Sequence, residues 1–145
     1  MRRMRRPLML ALTACLAAIG VAAADGASIK TEMSSVIDPS STLIFTIGGE
    51  VDPANAPGAP TTPERWAQAA DAAGKLKDEA NWLMLKGQAK DHGFWMSDAK
   101  LLRGAAAAAE RAAIAHNAGD FSAAANNLGD TCTTCHSRYK PQTAG

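Results

Sequence analysis

The sequence predicts an all-α fold, an antiparallel up-down-up-down four-helix bundle, and three observations carry that expectation. Apolar or small residues recur every three to four positions along four stretches, no stretch alternates with the two-residue period of a strand, and Gly, Pro, Asn and Thr cluster between the stretches. Amphipathic helices joined by short connections bury their apolar faces against sequence neighbours, which is the bundle architecture.

The chain opens with a segment outside this fold. Residues 1–24, "MRRMRRPLMLALTACLAAIGVAAA", place four arginines before a continuous apolar run that closes on A-x-A, the anatomy of a secretory signal peptide removed on export. The run is short for a membrane span and rich in Ala. "LTAC", ending at Cys15, resembles a lipobox, so a lipoprotein anchored to the membrane through Cys15 and facing the periplasm is the alternative. The apolar run continues past Cys15, where a lipoprotein turns polar, and this favours cleavage after Ala24 and a periplasmic protein that meets a membrane only if Cys15 is lipidated.

The domain then covers 25–145; removing 24 of the 145 residues leaves 121, enough for one modest core. Four of the 15 Lys and Arg leave with the signal and 11 remain against 14 Asp and Glu, so the net charge passes from +1 to −3. A domain of that balance has no electrostatic footprint for nucleic acid.

The first stretch sets Ile29, Met33, Val36, Ile37, Ile44 and Ile47 on a helical repeat, with Pro39 inside it; Pro removes a backbone donor and predicts a bend. "GGEVDPANAPGAPTT" is a loop, and Thr61-Thr62-Pro63-Glu64 predicts the next helix start through a Thr61-x-x-Glu64 capping box. The second stretch follows with Trp66, Ala69, Ala73, Leu76, Ala80 and Leu83. After "KGQAKDHG" the third carries Trp95, Ala99, Leu102, Ala106, Ala109 and Ala113, and its alanine run reads as a closely packed helix. After "HNAGD" the fourth carries Phe121, Ala124, Ala125, Leu128, Cys132, Cys135 and Tyr139. The three tryptophans, at helical spacing, read as core.

"CTTCH", Cys132 to His136, is the C-x-x-C-H pattern of covalent c-type haem attachment. Thiols three residues apart on a helix face one side and can add to the two haem vinyl groups, while the adjacent imidazole reaches the iron. A structural disulfide leaves His136 unexplained; a dithiol oxidoreductase needs its C-x-x-C at a helix start in a βαβ setting; zinc lacks an obvious fourth ligand. The motif, the export signal and the helical pattern agree on one covalent haem c.

A haem motif near the C-terminus of an Ala-rich, four-helix, exported chain resembles the class II c-type cytochromes, the cytochrome c′ family and its low-spin relatives. The resemblance runs from "IKTEMSSVIDPSS" through "NWLM" to "CTTCHSRYK". The family pattern C-x-x-C-H-x-x-Tyr/Phe-Arg is matched at Tyr139 and departs at Lys140, which keeps a positive charge but lacks the planar fork for a haem propionate. The resemblance also implies a possible homodimer, and a methionine early in the first helix as sixth iron ligand. In the expected topology Met33 stands at the depth of the haem motif, which agrees. Met84 and Met96 read as packing, His92 as a loop residue, and His116 as the cap of the third helix at the far end of the bundle.

The leading functional reading is an electron carrier, not an enzyme, with iron held by His136 and Met33 and with other periplasmic redox proteins as partners. The second is a five-coordinate haem, bound by His136 alone, that takes nitric oxide or carbon monoxide. A haem-free helical interaction module is the third and requires "CTTCH" to be accidental.

Overall fold

Ser28 starts the fold by accepting a hydrogen bond from the Thr31 N–H at 3.2 Å, which caps the short helix α1 (Ile29–Glu32). The structure, a computed structural model, describes residues 28–55 and 61–140; the signal segment, Cys15 and the cleavage point at Ala24 lie outside the described residues. All regular structure among those residues is helical, and none of these helices is long and apolar enough to cross a membrane.

A π-helical turn, Met33–Ile37, separates α1 from α2 (Asp38–Glu50). In an unbroken α-helix the Pro39 ring would press on the Ser35 carbonyl and leave it without a donor. Here the turn widens just before the proline, the Asp38 N–H donates to the Met33 carbonyl five residues back, and Pro39 takes a place near the start of α2. The irregularity expected at Pro39 therefore falls on the five residues that carry Met33.

Helix α3 (Pro63–Leu83) is capped by Thr62, whose side chain accepts from the Arg65 N–H at 3.2 Å. The cap lies one residue beyond the expected Thr61, so the third helical position is Arg65 rather than Glu64. Arg65 uses its side chain elsewhere, gripping the Glu50 carboxylate from Nε at 3.0 Å and from Nη2 at 2.5 Å, which ties the start of α3 to the end of α2.

Helix α4 (Phe94–Ile114) begins under Asp91, whose Oδ1 accepts from the N–H groups of Gly93 at 2.8 Å and Trp95 at 3.1 Å. Its finish and the start of α5 (Ala118–Tyr139) are nearly continuous: Asn117 caps α5 by accepting from the Asp120 N–H at 3.0 Å. Most of the expected linker "HNAGD" is thus the first turn of α5. His116 ends α4 by backbone shape. At φ 51° it takes the left-handed position, its N–H donates to the Ala113 carbonyl at 3.1 Å, and the Asn117 N–H donates to the Ala112 carbonyl at 2.9 Å, a Schellman closure. Histidine stands where glycine is usual, and its ring stacks on Trp66 with centroids 5.6 Å apart.

Helices α3, α4 and α5 pack each on its sequence neighbour, and α2 packs on both α3 and α5, closing the helical bundle. Small residues make the approaches close. Ala69, Ala73 and Ala80 of α3 and Ala106, Ala109 and Ala113 of α4 are fully buried, and a Cβ added to Gly48 of α2 would stand 2.7 Å from the Cβ of Ala125 in α5. Phe121, Ile44, Ile47, Leu76 and Leu128 fill the centre. Trp66 and Trp95 belong to this core, and Trp82 packs half-buried against it.

Candidate functional site

The last two turns of α5 present one face inward. Cys132, Cys135 and His136 are half-buried, whereas Thr133 and Thr134 between the cysteines are exposed, the separation that a 3.6-residue repeat imposes on C-x-x-C-H. These three inward side chains line a cavity of about 190 Å³. Met33 and Ile37 of the π-helical turn contribute another part of its wall, with Ser41 and Phe45 of α2 beyond them, and Leu83, Trp95 and Leu102 supply apolar surface from α3 and α4. The four residues expected to hold the haem and its iron thus share one cavity, although Met33 comes from the beginning of the described chain and the others from its end.

Trp95 is held in place at this cavity by two contacts. Its Nε1 donates to the Leu83 carbonyl at 2.7 Å, joining the start of α4 to the end of α3, and its ring meets Tyr139 edge-on with centroids 4.9 Å apart. Tyr139, expected among the cofactor-binding residues, stands one layer behind the cavity: its hydroxyl donates to the Asp91 carboxylate that caps α4. That hydrogen bond pushes the Tyr139 hydroxyl up to about 12 and holds the Asp91 carboxyl below its ordinary value. Lys140 is exposed and outside the cavity wall; its backbone N–H closes α5 on the His136 carbonyl at 3.1 Å. Met84 and Met96 pack on the core, and His92 is exposed.

Cys132 and Cys135 are free thiols. Burial pushes both up, Cys135 to about 11, and the Asp98 carboxylate adds to the rise at Cys135. Both thiols therefore stay protonated at neutral pH, the opposite of the lowered value that a dithiol oxidoreductase uses. Among the described residues no group of three or more His, Cys, Asp and Glu side chains is arranged to hold a bare metal ion. The donors fit haem c instead: two thiols one helical turn apart in an apolar cavity, an imidazole beside them, and a thioether in the same cavity.

Two cavity features were missed in the sequence. Asp98, on the buried face of α4, is 3% exposed, and Arg138, two residues beyond His136, donates from Nη1 to both of its carboxylate oxygens at 3.1 and 3.2 Å. A charged residue within the apolar repeat Trp95, Ala99, Leu102 was the available signal for Asp98; its partner 40 residues away left no local mark. No protein-family model, curated protein or solved structure matches the chain, so the cavity's own chemistry carries the functional reading.

Proposed function

We propose that the chain is an exported c-type cytochrome with one haem c held through Cys132 and Cys135, liganded by His136 and Met33, and passing electrons between periplasmic redox proteins. The observation that carries this reading is the single cavity shared by Met33, both thiols and the imidazole. The finish of α3 at Leu83, the start of α4 at Trp95 and the finish of α5 at His136 meet around it as well. Consecutive helices that arrive at one place alternately by their ends and their starts support the antiparallel up-down-up-down order.

When bound, haem takes up and returns one electron at an iron whose Met/His ligation favours the reduced state. The chain's residues do the holding. Cys132 and Cys135 would hold the haem on α5, His136 of the same helical turn would face its iron, and Leu83, Trp95 and Leu102 would give it an apolar wall. Exported one-electron donors and acceptors would meet the site through small, transient contacts.

The test is expression of the full chain with a c-type haem-maturation system. Haem that survives acid–acetone extraction from the wild type, with weaker retention in Cys132→Ala and Cys135→Ala, supports the reading. Complete loss of haem from the wild type under the same extraction refutes it.

A further inference from the structure

We infer that Arg138 neutralises Asp98 at the wall of the site and so holds the reduction potential between the values that either charge alone would impose, an inference that rests on the haem reading above. Asp98 lines the cavity together with Cys135 and His136, and its side chain is only 4% exposed. Arg138 approaches from the rim, 40% exposed, and donates from one guanidinium nitrogen to both carboxylate oxygens. The guanidinium also lies over the ring of Phe94, 4.3 Å from its centroid, which gives that otherwise exposed phenylalanine a role in holding the arginine.

The asymmetry of burial gives the pair its electrical meaning. A carboxylate inside an apolar wall is poorly screened, so its charge reaches across the cavity further than a surface charge does. A bare negative charge beside a redox centre stabilises the more oxidised, more positive form; a bare positive charge does the reverse. Arg138 cancels the field of Asp98 where it stands. Removal of either partner exposes the other, and the two removals act with opposite sign.

The experiment is a redox titration of the haem-loaded full chain against one-electron mediators at fixed ionic strength. Asp98→Asn raises the potential and Arg138→Gln lowers it, each by about a tenfold change in the oxidised-to-reduced ratio, about 59 mV for one electron. Arg138→Lys keeps the charge and stays near wild type, and the double variant Asp98→Asn with Arg138→Gln returns towards it. Urea unfolding of the same proteins gives a second readout, in which Arg138→Gln is less stable than the double variant because it leaves a lone buried carboxylate. If Arg138→Gln does not fold, Asp98→Asn, which removes the buried charge, still tests the sign. Potentials that do not move, or that move in one direction for both single variants, as a merely loosened pocket would produce, overturn the inference while leaving the haem reading intact. A wild type without covalent haem overturns both.

Discussion

Two adjacent glycines of α2 should respond to the same substitution with opposite signs. A Cβ at Gly48 would stand 2.7 Å from the Cβ of Ala125, whereas a Cβ at Gly49 meets nothing within 4 Å. Carbon atoms rest at about 3.5–4.0 Å, so Gly48→Ala must force α2 and α5 apart by roughly 1 Å or strain them in place. Overpacking of that kind costs about 1–3 kcal/mol. The helical preference of Ala over Gly returns about 0.5–1 kcal/mol, and for Gly49→Ala that preference is the only effect. At about 4 °C per kcal/mol for a domain of this size, the net cost of about 0.5–2 kcal/mol means that Gly48→Ala lowers the melting temperature by about 2–8 °C, while Gly49→Ala raises it by about 2–4 °C. Far-UV circular dichroism on both variants, and on Gly48→Ala combined with Ala125→Gly, reads the effect directly. Two variants that both melt higher than wild type, or a double variant less stable than Gly48→Ala alone, would refute the close approach of α2 to α5.

Met33→Ala should leave covalent haem in place, lower the reduction potential, and let the reduced protein take up carbon monoxide, as a visible spectrum and a redox titration will show; a wild type that already binds carbon monoxide at once favours the gas-binding reading. Tyr139 gives a pH window. Because its folded value is raised from 10.0 to about 12, chiefly by the bond to Asp91, it contributes stability that is complete below pH 10 and lost as pH rises towards 12. Urea midpoints should therefore fall across that window more steeply in wild type than in Tyr139→Phe, and parallel curves would remove the hydroxyl from the account. At His116, Ala keeps the left-handed backbone and loses the Trp66 stack, whereas Gly loses the stack but relieves the backbone by about 1 kcal/mol. His116→Gly should melt above His116→Ala, and the reverse order would argue against the Schellman closure.

The periodic stretches that became α3, α4 and α5 were legible because burial against neighbouring helices writes itself into residues three and four apart. Trp66, Leu76, Leu102 and Leu128 all reach the core as their spacing required. Cys132, Cys135 and His136 were legible for the same reason, since their spacing is that of a helical face. What escaped the sequence depends on geometry that no short window contains. The π-helical turn is a response to one proline, with a width chosen by packing. The cap at Thr62 rather than Thr61 turns on a single backbone rotation. Asp98 meets Arg138, and Asp91 meets Tyr139, only because α4 and α5 pack together, and pairs 40 and 48 residues apart leave no periodic trace.

The cavity draws its walls from the first turns of the described chain and from its last, and this fixes its place in the order of folding. The pairs α3 with α4 and α4 with α5 join over short connections, so their contacts form with little loop entropy to overcome. The wall that brings the Met33–Ile37 turn to α5 joins residues about 100 positions apart and so needs the longest closure in the fold. It should therefore be the last part to close during folding and the first to open in partial unfolding, while the alanine-packed α3–α4 pair stays shut.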